Sequence, residues 1–188
     1  PTAILVGSGM GAERGLLIRG GDVLERVHAL DTIVFDKTGT LTTGQPIVTD
    51  CIPFDVSGKT LESAKFNILQ LAATVESGTR HPLAEAIIRA ANQQEISLLL
   101  AQDFYTEPGL GVSAIVSLPN LEPQSVWLGT LPWMEKNGVS VGDAPQAQAQ
   151  TLAEAGKTVV YVATSQALIG LIAVTDAVRS DAKDTVSA

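Results

Sequence analysis

Thr32-Ile-Val-Phe-Asp36-Lys-Thr-Gly-Thr-Leu-Thr42 is the stretch from which the rest of the chain is read. Its first four residues are apolar or β-branched and bounded by polar ones, which predicts a buried strand over 32–35 that delivers Asp36 to its carboxyl end. That edge is where α/β folds place ligands. From Lys37 to Gly44 the composition is that of a loop, and its hydroxyls and exposed amides suit a phosphate. A carboxylate oxygen in such a loop can attack a phosphoryl group to give an aspartyl-phosphate. Mg2+ and Lys37 would offset the charge, while Thr38 and backbone N–H groups hold the equatorial oxygens. The plain alternative is a strand-to-turn aspartate before a glycine-rich loop, but the whole string is far more specific than Asp-x-x-Gly.

The chain around this string has 188 residues, of which 45% are hydrophobic and 17% charged, enough apolar material for one good core or two small ones. Twelve basic residues against twenty acidic ones leave a net charge of -8. With no run of Lys and Arg, this repels polyanions and weighs against nucleic acid as a partner. The single Cys51 cannot form an internal disulfide and has no Cys or His at ligand spacing, which fits a reducing compartment. No stretch approaches the roughly 20 apolar residues that span a bilayer. The start at Pro1, with neither initiator Met nor signal peptide, reads as a piece of a longer protein.

Outward from the string, Thr2 to Gly21 is a glycine-interrupted helix candidate. Its Gly7-Ser-Gly9-Met-Gly11-Ala12, with Asp31 further on, also imitates a dinucleotide fingerprint, though without a surrounding strand-helix-strand unit. After Pro46 come a strand at Ile47 to Ile52 and a helix with Leu61, Ala64, Ile68, Leu71 and Val75 on one face, capped by Thr60. A second helix opens at Pro82. Strands follow near Phe104 to Thr106, Val112 to Leu118 and Ser125 to Leu128. A helix with an Asp143/Gln146 capping box ends at Gly156, and strands at 158–163 and 168–174 lead to Asp176. The middle therefore reads as an α+β unit inserted between two pieces of an α/β unit, with joins near Gly44 to Ile47 and Ser165 to Leu168.

The Asp36 string resembles the phosphorylation motif of P-type ATPases, and nearly the whole chain resembles the heavy-metal-transporting subclass, most closely its copper-transporting members. The resemblance implies an antiparallel α+β nucleotide-binding domain inserted into an incomplete α/β, haloacid-dehalogenase-like phosphorylation domain. The expected organisation is a post-transmembrane stalk at 1–30, phosphorylation-domain parts at 31–46 and 167–188, and the nucleotide-binding domain at 47–166. Asp36, Lys37 and Thr38 are the implied catalytic residues, with Mg2+ held by Asp36 and Thr38 and by carboxylates beyond Ala188. Soluble phosphatases of the superfamily carry a second Asp where this chain has Thr38. Its loss slows attack by water on the acyl-phosphate and favours a phosphoenzyme-forming pump.

By the same resemblance, Glu76-Ser-Gly-Thr-Arg-His81-Pro82 supplies Glu76 and His81 to the ATP site, with Thr79 and Arg80 standing where the family usually has Ser and Glu. By residue chemistry alone, His81 reads more readily as a helix cap or core group than as a ligand contact. Gly109-Leu-Gly111 and Leu128-Gly129-Thr130 match further nucleotide-site turns, in which Gly109, Gly111, Gly129 and Thr130 would face the ligand. A Gly-x-Gly between strands is also an ordinary turn. Asp176 and Arg179 resemble the hinge of the phosphorylation domain, or form a surface ion pair across one turn. ATP and Mg2+ are thus the implied cofactors. A heavy-metal ion such as Cu+, bound by a membrane domain, and an actuator domain are the implied partners of a multi-pass membrane parent whose cytosolic portion this is. The chain alone is expected to bind ATP but to turn it over poorly. The alternatives are a soluble phosphohydrolase of the same superfamily and a regulatory module that binds nucleotide without catalysis.

Overall fold

The computed structural model describes residues 2–54, 60–118, 121–165 and 167–187. Pro1, Gln166 and Ala188, which fall within the expected segments, lie outside these. The chain divides into two compact units, residues 1–36 and 37–188.

In the first unit, α1 (Thr2–Glu13) and α2 (Gly21–Arg26) bury no residue. They approach through glycines: a Cβ on Gly21 would stand 3.2 Å from Ile4, and one on Gly7 3.3 Å from Leu24. Because Thr2 to Val6 is helical, as the helix candidate expects, the strand that a dinucleotide fingerprint requires is absent and the imitation goes no further. A 3-10 turn at Val27–Ala29 follows, and residues 30–36 have no regular structure. The buried strand expected at 32–35 is likewise corrected: Ile33 is 68% and Val34 91% exposed. A strand exists through its ladder, and no described strand pairs with this segment. No helix among the described residues is long and apolar enough to cross a membrane.

The second unit is built on a six-stranded sheet of order β1-β6-β5-β4-β3-β2, antiparallel throughout. The strands are β1 (Thr42–Pro53), β2 (Leu100–Glu107), β3 (Gly111–Ser117), β4 (Gln124–Gly129), β5 (Thr158–Thr164) and β6 (Leu168–Val178). β1 is an edge strand, which accommodates Pro46. β6 runs through Asp176 and pairs it with Pro46, so the strand extends beyond the expected 174. The expected join at 165–168 falls at the connection between β5 and β6, two neighbours in this sheet.

One face is covered by α3 (Leu61–Glu76) and α4 (Pro82–Gln93). Thr60 caps α3 by accepting from the Ser63 amide at 3.2 Å. The face that buries Ile68, Leu71, Ala72 and Val75 has the three-and-four spacing of its sequence. Opposite it, period-two alternation turns Val112, Ala114 and Val116 of β3 and Val160 and Val162 of β5 inward. The other face packs Trp133 and Met134 of α5 (Leu131–Lys136) and Ala149 of α6 (Asp143–Glu154) over Tyr161, Ala163 and Leu171. α5 has no sequence signal beyond Pro132, being too short for periodicity. The capping box at α6 is corrected: Gly142 is the N-cap, Asp143 is already helical, and Gln146 donates to the Val141 carbonyl at 2.9 Å.

Candidate functional site

An all-antiparallel ladder puts the starts of β1, β3 and β5 at the same end as the ends of β2, β4 and β6. α3 begins at the far end, where the Cys51 thiol donates to the Lys65 carbonyl at 3.5 Å. It runs back, so the α3–α4 loop reaches the near end, where Pro82 and Gly44 border one cleft. Glu76, His81, Gly109, Gly111, Gly129, Thr130 and the turn Lys37–Leu41 are thereby gathered at one end of the sheet.

Glu76 is 3% exposed. Thr79 Oγ1 donates to its Oε2 at 2.8 Å. Burial pushes the Glu76 carboxyl above the ordinary range, against the opposing effects of the Thr79 hydrogen bond and the nearby His81. His81 is the N-cap of α4, its Nδ1 accepting from the Leu83 amide at 3.2 Å while Pro82 fills the first helical position. Capping therefore fixes the imidazole orientation and leaves the exposed ring's other nitrogen at the loop surface. Arg80 between them is exposed. The loop lies on Phe104, whose Cγ is 2.6 Å from where a Gly78 Cβ would stand. A bulge with Asp103 at φ 56° turns Phe104 to this face.

Gly111 and Gly129 are direct cross-strand partners. A Cβ on Gly111 would meet the Trp133 indole and stand 2.5 Å from the Leu128 carbonyl oxygen, and one on Gly129 would be 2.7 Å from Trp133 Cδ1. What the missing Cβ atoms accommodate on that face is thus Trp133, 2% exposed, whose Nε1 donates to the Val112 carbonyl at 3.2 Å. Tyr105 stacks on this indole at 6.1 Å, and Lys136 Nζ lies 5.6 Å from its ring. Glu107 Oε2 accepts from both Tyr105 (2.6 Å) and Lys136 (2.9 Å). Sequence reasoning missed this buttress, and only the aromatic and cationic side chains themselves hint at it. Of Gly109, Gly111 and Gly129, only Gly109 has open space around its Cβ position and a left-handed φ of 77°, as a tight turn requires. Thr130 Oγ1 donates to the Leu110 carbonyl at 3.1 Å, so its hydroxyl closes that turn.

The turn after Asp36 is held from β6. Thr42 Oγ1 has one proton, shared between Asp176 Oδ2 and the Lys37 carbonyl oxygen 3.1 Å away, and it accepts from the Gly39 amide at 3.1 Å. Thr43 adds a bond to Asp176 Oδ1 at 3.2 Å. Arg179 donates to the carbonyls of Thr42 and Gly39, each at 3.1 Å. The expected Asp176–Arg179 pair across one turn does not form. Both residues grip the turn instead, ordering the segment that carries Lys37 and Thr38. Asp36 is exposed at the end of the first unit. No group of three or more His, Cys, Asp or Glu among the described residues is placed to hold a metal ion.

Residues 30–188 match the haloacid dehalogenase-like hydrolase family. The chain is 40% identical over 190 residues to the chloroplastic copper-transporting ATPase PAA1 of Arabidopsis thaliana, with 99% of this chain and 19% of that protein covered. It spans about a fifth of the length of the curated relatives it matches. Among solved structures, a zinc-transporting PIB-type ATPase in its E2.Pi state superposes with TM-score 0.73 at 34% identity, over 98% of this chain and 28% of that one. The N-domain of HMA6, a copper-transporting P-type ATPase, superposes with TM-score 0.54 at 31% identity, over 70% of this chain and 99% of that one. The chain belongs to the haloacid dehalogenase-like hydrolase family, in its heavy-metal P-type ATPase branch.

Proposed function

We propose that this chain is the ATP-binding and phosphoryl-accepting portion of a copper-type P-type ATPase, and that Asp36 is the residue phosphorylated. The observation that carries the reading is the convergence, at one sheet end, of the Glu76–His81 loop, the Gly109–Gly111 turn with Gly129, and the clamped turn that follows Asp36. In this reading Glu76 and His81 meet the adenine: a buried carboxyl with a raised proton affinity and an imidazole oriented by its capping bond suit a base with both donors and acceptors. The backbone at Gly109 approaches the nucleotide most closely, while Gly111, Gly129 and Thr130 keep that turn in place against Trp133.

In the phosphoryl transfer, an Asp36 carboxylate oxygen bonds to the γ-phosphorus as the bond to the ADP oxygen breaks, and Lys37 and Thr38 face the transferring group. Mg2+ bound with a nucleotide takes one or two protein oxygens, with phosphate and water completing its shell, and Asp36 with Thr38 fits that donor set. When bound, the ion neutralises phosphate charge. Asp176 and Arg179 hold the turn that follows Asp36, which suits a hinge between a nucleotide-binding domain at 47–166 and phosphorylation-domain parts at 31–46 and 167–188. In the longer parent, a membrane domain carries the heavy-metal ion, an actuator domain meets the phosphoenzyme, and residues 1–30 form the stalk. This places the present chain on the cytosolic side.

The test is an ATP titration of the chain by calorimetry, with His81→Ala as the paired control. Binding that weakens in the variant, with amide shifts at Glu76, His81, Gly109 and Gly129, supports the reading. A folded chain that binds no nucleotide refutes it.

A further inference from the structure

A cleft of about 440 Å3 opens between the start of β1 and the first turns of α4, lined by Gly44, Gln45, Pro46, Pro82, Glu85 and Arg89. Its two ends touch the two halves of the site. Pro82 follows His81 in the chain, and a Cβ on Gly44 would stand 3.5 Å from Gly39 Cα in the clamped turn. Arg89 is half-buried and makes one long bond, Nη2 to the Pro46 carbonyl at 3.3 Å, and no ion pair with a described residue. A guanidinium has five N–H donors in a fork that matches a phosphate, and most of these are unused here. Glu85, one turn earlier on α4, brings acceptor oxygens to the same cleft and suits the hydroxyls of a ribose.

We propose that this cleft takes the sugar and phosphates of the nucleotide, with Arg89 as the cation that meets the phosphates. The proposal rests on the nucleotide reading above and extends it from the adenine to the rest of the ligand. The phosphate is that of a nucleotide and not free phosphate. A bare anion would meet the Glu85 carboxylate with no base contact to offset the repulsion, so millimolar inorganic phosphate is not expected to displace ATP.

The experiment titrates the wild-type chain and its R89A, R89Q and R89K variants with ATP and with adenosine by calorimetry, with thermal unfolding as the fold control. R89A and R89Q should lose about tenfold in ATP affinity and nothing for adenosine, while R89K keeps part of the ATP preference, because charge-assisted bonds to phosphate are lost. Equal losses for ATP and adenosine, no loss at all, or displacement of ATP by phosphate overturn the proposal and leave the nucleotide reading standing. R89Q behaving as wild type while R89A fails overturns it too, since only a donor to the Pro46 carbonyl would then matter. Should R89A not fold, R89Q and R89K decide alone. A wild-type chain that binds neither ligand removes both readings.

Discussion

Gly111→Ala tests whether packing or ligand approach explains the glycine pair beneath Trp133. The new methyl would meet the Trp133 indole and lie 2.5 Å from the Leu128 carbonyl oxygen. Neither neighbour can yield easily: the carbonyl belongs to the sheet, and the indole is 2% exposed and tied to the Val112 carbonyl at 3.2 Å. Overpacking costs about 1–3 kcal/mol, and two stiff neighbours put this site near the upper limit. The smaller unfolded-state entropy of Ala offsets about 0.4–1 kcal/mol, leaving a net loss of about 2 kcal/mol. For a chain of this size that is about 4–8 °C in Tm. Gly109→Ala meets no atom and bears only the left-handed strain of φ 77°, about 1 kcal/mol. Urea unfolding followed by tryptophan fluorescence compares the two. In a Trp133→Leu background the indole clash disappears and the carbonyl clash remains, so Gly111→Ala should cost about half as much there. A Gly111→Ala variant no less stable than Gly109→Ala, or a cost undiminished once the indole is gone, would refute the packing argument.

Glu76→Gln should alter the pH dependence of stability. Burial raises the Glu76 carboxyl in the fold, so the wild type loses stability as pH climbs from the ordinary 4.5 through the elevated value, and the variant should gain on it from pH 4 to pH 7 in thermal unfolding. Parallel curves would mean that the carboxyl is not desolvated. Arg179→Ala frees the carbonyls of Gly39 and Thr42. Hydrogen exchange should speed at the Gly39 amide, which bonds Thr42 Oγ1, while β3 and β5 keep their protection, and unchanged exchange at Gly39 would show that Arg179 does not hold the turn. Arg80→Glu places a carboxylate beside His81 and should weaken ATP binding about two- to fivefold at low salt and less at high salt, with adenosine unaffected. A loss of equal size for adenosine would tie Arg80 to the adenine loop's shape instead of to phosphate charge.

Legibility followed the range of the interactions. α3 and α4 were readable because their signals are local: the Thr60 cap, Pro82 at the first helical position and apolar residues at three-and-four spacing all act within a few residues. The inner strands are readable as short runs set apart by Gly, Pro and polar turns, although only β3 alternates cleanly and β5 and β6 are buried along consecutive residues. Thr32 to Phe35 carries an equally clear strand pattern and is no strand, because a ladder needs a partner from elsewhere in a chain and none of the described strands supplies one. In the same way Asp176 and Arg179, three apart, invite pairing across a helical turn. Asp176 lies in β6 and Arg179 just past its end, so no helical turn joins them: Asp176 finds its partners in Thr42 and Thr43 at the start of β1, and Arg179 in the carbonyls of Gly39 and Thr42. The glycines carry the deeper lesson. Gly111 and Gly129 say in the sequence that a Cβ would not fit, and both a ligand and a neighbouring side chain satisfy that condition. Only the fold, by bringing α5 across the β3–β4 pair, distinguishes them and assigns the space to Trp133. The turn at Gly109, with its open surroundings and left-handed backbone, is the one glycine of the set at which nothing in the protein stands where a ligand would approach.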